Sequence, residues 1–136
     1  MNGSISWAAW LPNEHLNCFM ELARILPDKA LPVHRSEEDF LTAVVTQLVK
    51  DFQWDLERVK KANMPMNSLV EGEIEWGMDH DPSGTFAAFY RLDLGEDLVR
   101  TILHYFERPK AISMLAEKCL QRAALKVWTR WTYSVQ

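Results

Sequence analysis

Two rhythms of hydrophobic and polar residues run along the 136-residue chain. One recurs every three to four positions and predicts helices; the other alternates and predicts strands. Residues 4–10 alternate, with Ile5, Trp7 and Ala9 on one side and Ser6, Ala8 and Trp10 on the other, which predicts a first strand. Pro12 then opens a helix, where its missing N–H costs nothing. Glu14, Asn17, Glu21 and Arg24 form its polar stripe, and Leu16, Phe19, Met20, Leu22, Ala23, Ile25 and Leu26 cover the rest. Ser36 caps a long helix, with Glu37, Glu38 and Asp39 set favourably in its first turn. Phe40, Leu41, Val44, Val45, Leu48, Val49 and Phe52 make one apolar face. Asp55 would fall on that face if the helix ran straight on. A break is the simpler reading: Asp55 becomes the N-cap of a short second helix with Leu56 and Val59, ending near Asn63-Met64-Pro65.

The stretch VEGEIEWGMDHDPSG, residues 70–84, places Glu71, Glu73 and Glu75 at alternate positions and reads as a strand followed by a turn. Asp81-Pro82-Ser83-Gly84 has the residue preferences of a type I turn. A three-residue hairpin loop with Gly84 left-handed pairs Met78 with Ala88, Trp76 with Tyr90 and Ile74 with Leu92, all apolar. On the other face Glu75 meets Arg91 and Glu73 meets Asp93, one favourable pair and one repulsive. Gly95-Glu96-Asp97 starts the next helix and Pro109 the one after, the latter with Ile112, Leu115, Ala116, Cys119, Leu120 and Ala123 on one face. Residues 126–135 alternate again: Val127, Thr129, Trp131, Tyr133 and Val135 against Trp128, Arg130, Thr132 and Ser134. The order β-α(α)-β-β-α(α)-β predicts one α+β domain of ferredoxin-like topology: a four-stranded antiparallel sheet with helices on one face. Another α+β sandwich, with the first strand unpaired, is the alternative.

Composition bounds the chemistry. The chain is 48% hydrophobic and 25% charged, with a formal net charge of −4. That is ordinary for a globular protein, and it argues against binding nucleic acid or anionic membrane over the whole surface. The first residues lack the pattern of a secretory signal or a membrane span, so the expectation is a cytoplasmic protein with Cys18 and Cys119 reduced. The charge is unevenly spread. Residues 67–107 hold nine acids and two bases, and residues 108–136 six bases and one acid.

Motifs for chemistry are weak. Three glutamates along a strand are too far apart to close around one cation, so no metal site is expected. In Asp79-His80-Asp81 only His80 is left without a structural role, and it is the one centre an enzyme reading could use. His15 and Cys18 share a helix face but have no second pair at matching spacing. His34 and His104 read as incidental. No phosphate-binding glycine motif or nucleophile elbow is present. No catalytic residue and no cofactor is assigned.

The leading expectation is a small protein that binds another protein: an inhibitor, an immunity or antitoxin-like factor, or a small subunit of an assembly. Trp10, Trp54, Phe89 and Trp128 lie opposite the assigned core faces, and large exposed aromatics mark interfaces. Glu71, Glu73, Glu75, Phe89 and Arg91 would form an outward, acidic face suited to a basic partner. A homodimer through the open sheet face is a further expectation. The alternative is nucleic-acid or nucleotide binding through that face and through Arg122, Lys126, Trp128 and Arg130, where cations interleave with aromatics.

Overall fold

The structure, a computed structural model, describes residues 25–26, 29–32 and 34–133. Among these residues there are helices and no strand. In chain order they are α1 (Glu37–Phe52), α2 (Leu56–Lys61), α3 (Met66–His80), α4 (Pro82–Arg91), α5 (Glu96–Tyr105) and α6 (Arg108–Tyr133). α6, of 26 residues and so about 39 Å long, packs against α1, α3 and α5, while α4 closes on α3 and α1. The result is a helical bundle around α6, and the α+β, ferredoxin-like expectation, like its sandwich alternative, is overturned. No sheet face exists among the described residues, so dimerisation or nucleic-acid binding through one falls with it.

The local start signals behave as read. The Ser36 hydroxyl accepts from the Asp39 N–H at 3.0 Å, ahead of three acids in the first turn of α1. α1 ends at Gln53, which is left-handed at φ 60°, and the Trp54 N–H returns to the Val49 carbonyl. Asp55 caps α2 by accepting from the Glu57 N–H at 3.0 Å, and Val59 is buried. Gly95 precedes α5, and Pro109 lies in the first turn of α6.

The expected hairpin is instead α3 and α4. Val70, Ile74 and Gly77 are buried together with Met66 and Leu69, a three-to-four spacing that seats α3 on α6. Asp81 joins the two helices. Its N–H donates to the Gly77 carbonyl and its side chain accepts from the Gly84 N–H at 3.1 Å. Asp-Pro-Ser-Gly thus supplies an N-cap, proline at the first helical position, and a glycine whose missing Cβ leaves room for the capping carboxylate. The first turn of a helix and a type I turn share near-helical dihedrals at their central residues, so the same residues suit both. Gly77 is also a point of close approach: a Cβ there would run into the Thr85 hydroxyl.

The expected last strand is, over residues 126–133, the end of α6, and Ser134 and Val135 lie outside the described residues. Ala123, Ala124 and Val127 are buried and Trp131 is half-buried, while Thr129 and Tyr133, expected beside Val127 and Trp131, are exposed. The strand expected at residues 4–10 and most of the helix after it lie outside the described residues; of that helix Ile25 and Leu26 are described and buried. The core gathers these two with residues from all six helices into one cluster.

Candidate functional site

The outward side of α3 holds the arrangement most suited to recognition. A helix seated through Val70, Ile74 and Gly77 turns Ser68, Gly72, Glu75, Trp76, Asp79 and His80 to solvent. Trp76 is 58% exposed. Its ring stacks on the His80 imidazole at 4.3 Å, and His80 Nδ1 lies 2.8 Å from the Trp76 carbonyl oxygen. The pairing expected between Trp76 and Tyr90 inside a hairpin is absent, since Tyr90 is itself 46% exposed. The sequence signal for Trp76 was a wheel position: two residues beyond buried Ile74, a period-3.6 helix points to the opposite side.

The three glutamates separate. Glu71 lines a small pocket with Ile25, Asn67 and Ser113 between α3 and α6. Glu73 is held by both terminal nitrogens of Arg58 from α2, one of them at 2.9 Å. That hydrogen bond raises the Arg58 guanidinium above its ordinary value, against the opposing effect of its partial burial. Glu75 lies beside Arg108 at the start of α6, 4.0 Å away, and Asp79 receives a hydrogen bond from the same guanidinium at 2.8 Å. The expected contacts of Glu75 with Arg91 and Glu73 with Asp93 do not form. Phe89 is fully buried, packed edge-on against Phe52 and Phe86, so its place in an outward site is a correction.

Arg91 ends α4 and turns back, donating from Nε to the Asp51 carbonyl at 2.7 Å. Its side chain still reaches a groove shared with Trp54, Asp55, Arg58, Glu73, Trp76 and Asp81. Trp54 stacks on Phe52 at 4.6 Å and forms one wall. A second groove, between α2 and α3, carries Ala62, Met64, Leu69 and Gly72. The Arg58–Glu73 pair lines both.

The residues of the nucleic-acid alternative face inward contacts. Lys126 reaches the carboxylate of nearly buried Asp51 at 3.1 Å and the Arg91 carbonyl at 2.6 Å. Asp51 also accepts from Gln47 at 2.9 Å, and Gln47 accepts from Arg130 at 3.0 Å. Arg122 caps the end of α4, donating to the Leu92 carbonyl and to Asp93. The Trp128 indole donates to the Ala30 carbonyl at 2.9 Å, with the Lys29 ammonium over its ring. These groups stitch α6 to α1, to the end of α4 and to residues 29–30. None of this polar seam was legible in the sequence as such, because the hydrogen bonds from α6 reach 29 to 98 positions along the chain.

Elsewhere the chemistry is sparse. No group of three or more His, Cys, Asp or Glu among the described residues is placed to hold a metal ion. Cys119 is a free, buried thiol, and burial pushes its ionisation well above the ordinary value. His34 and His104 are exposed; His15, Cys18 and Trp10 lie outside the described residues. No described helix is long and apolar enough to cross a membrane. No protein-family model, curated protein or solved structure matches the chain.

Proposed function

We propose that this protein works by binding another protein, through the surface formed by α2, α3 and the α1–α2 turn. The observation that carries the reading is Trp76, an indole 58% exposed in the C-terminal half of a helix that bears acids and no Lys or Arg. Tryptophan is enriched among the few side chains that dominate binding energy, and this one, stacked on His80, leaves most of its surface to water in the free protein. Asp55, Glu73 and Asp81 around it are engaged in caps or an ion pair, which suits a surface that recognises shape more than one that performs acid–base chemistry. Inhibitor, immunity factor and assembly subunit all remain within this class.

The nucleic-acid alternative gains no support, since Arg122, Lys126 and Arg130 are occupied by Asp93, Asp51, Gln47 and backbone carbonyls. An enzyme centred on His80 gains none either, since its ring neighbours are Trp76 and a backbone carbonyl. The test is affinity isolation from the native cell with tagged wild-type and Trp76→Ala proteins, followed by reconstitution from purified components. A protein that forms a complex of defined stoichiometry and loses at least about tenfold affinity on Trp76→Ala, with the helical circular dichroism unchanged, is the expected result. Recovery of nucleic acid alone, lost with rising salt, sinks the reading.

A further inference from the structure

We infer that the exposed stripe of α3 is the seat of a basic amphipathic helix from a different protein, lying along the α2–α3 groove. This deepens the protein-binding reading and rests on it. Three observations carry it. First, the groove carries exposed Met64 beside Leu69 and Ala62, and Trp76, which lines the adjoining groove, stands one turn beyond Gly72 along α3. Second, Gly72 sits mid-helix with nothing within 4 Å of where a Cβ would be. Glycine weakens a helix relative to alanine, and no contact among the described residues requires it here. A missing side chain facing open space fits a neighbour that approaches α3 closely.

Third, the charges choose the occupant. α3 carries Glu71, Glu73, Glu75 and Asp79 and no Lys or Arg. Arg58 answers Glu73, but Glu75 and Asp79 share the single guanidinium of Arg108. A second copy of this chain seated α3 on α3 would set acids against acids, which costs affinity. A partner helix with Lys or Arg on the flank over α3 meets Glu75 and Asp79 favourably, while on the α2 wall Arg58 and Lys61 stand beside Asp55 and Glu57. An added strand is a poor occupant, because the described residues present no sheet edge to extend.

The experiment places a photo-crosslinking amino acid at position 76, and separately at Tyr90 and Tyr105 as exposed controls, in the full chain in its native cell. The crosslinked peptide is sequenced, synthesised and its affinity measured against wild type, Gly72→Ala, Gly72→Leu and Glu75→Lys/Asp79→Lys. The expected result is a crosslink from position 76 to a segment of another protein with Lys or Arg beside a three-to-four apolar repeat. Gly72→Leu and the double charge reversal should each weaken the synthetic peptide at least tenfold, the second most strongly at low salt. Gly72→Ala should raise Tm by roughly 2–5 °C, showing that the position tolerates a side chain in the free protein. A crosslink to a second copy, to an acidic or non-helical segment, or undiminished binding by Gly72→Leu overturns the inference. Protein crosslinks from positions 90 or 105 without one from 76 overturn this seat and leave protein binding standing; no protein crosslink from any of the three overturns both.

Discussion

α3 and α6 hold the sharpest charge contrast in the chain, and they use it in opposite ways. Four cations of α6 reach across to other elements: Arg108 to α3, Arg122 and Lys126 to the end of α4, and Lys126 and Arg130 to the Asp51–Gln47 pair of α1. α3, acidic and seated by Val70, Ile74 and Gly77, leaves Trp76 and His80 in solvent and shares one cation between Glu75 and Asp79. The difference teaches that a basic, aromatic segment in a sequence is not a surface until its neighbours are known. Long side chains lay their stems along a helix and bring the charge to any acceptor within reach. α6 touches α1, α3 and α5 and finds acceptors on α1 and at the end of α4, whereas the ion pairs of α3 among the described residues run to Arg58 of α2 and Arg108 at the start of α6.

The strongest test of that contrast is Lys126→Met. It leaves the Asp51 carboxylate, 5% exposed, with Gln47 as its remaining side-chain donor. A lone buried charge is costly, and because Lys126 is partly exposed the expected loss is about 2–3 kcal/mol in denaturant unfolding. A loss below about 0.5 kcal/mol would mean that the cations of α6 are not structural, and would return them to the nucleic-acid reading.

Next comes the inner side of α3. Gly77→Ala drives a methyl into the Thr85 hydroxyl, which is tied to the Asp81 carbonyl at 2.9 Å. An expected cost of about 1–3 kcal/mol should fall substantially in the Gly77→Ala/Thr85→Ala double variant, measured by a thermodynamic cycle. Additive losses would show that the α3–α4 approach is looser than the structure has it.

A smaller effect is expected at the cap. Asp55→Ala should cost about 0.5–2 kcal/mol and Asp55→Asn much less, because both Asp and Asn accept from the Glu57 N–H. Equal damage by the two would make the charge beside Arg58 matter more than the cap.

The smallest expected change is at the ion pair between the grooves. With Asp93 opposite it, as in a hairpin, Glu73→Lys would have relieved a repulsion. Facing Arg58 it creates one, so stability should fall by up to about 1 kcal/mol, with the loss shrinking as salt is added. A rise in Tm would indicate that the Arg58–Glu73 pair does not form in solution.

Reading and structure part at both arms of the expected hairpin and at the expected last strand. Between residues 70 and 78, Val70, Ile74 and Met78 are spaced four apart, and such a row belongs to one face of a strand and nearly to one face of a helix. The alternate glutamates tipped the reading toward a strand, although Glu is a good helix former and a poor strand former. Trp76 was the residue that distinguished the two, inside a hairpin or outside a helix, and nothing adjacent to it in the chain decides which. The last segment, residues 126–135, has the same ambiguity: Val127 and Trp131 fit both periods, and Arg130 and Trp128 fit the helix only once Gln47 and Ala30 stand where their contacts require.

What the sequence determined by itself is local. Ser36, Asp55 and Gly95 begin helices because their capping or break lies within three residues of the chain, and the apolar faces of α1 and of the first half of α6 repeat often enough to exclude a strand. The tertiary structure alone decided that Asp81 joins two helices instead of turning a hairpin, that the cations of α6 close an internal seam, and that Trp76 and the open side of Gly72 face outward. Each of these depends on partners far along the chain, and the free energy that selects them comes from burying Val70, Ile74, Phe89 and Val127 together, a sum over contacts that no short window contains.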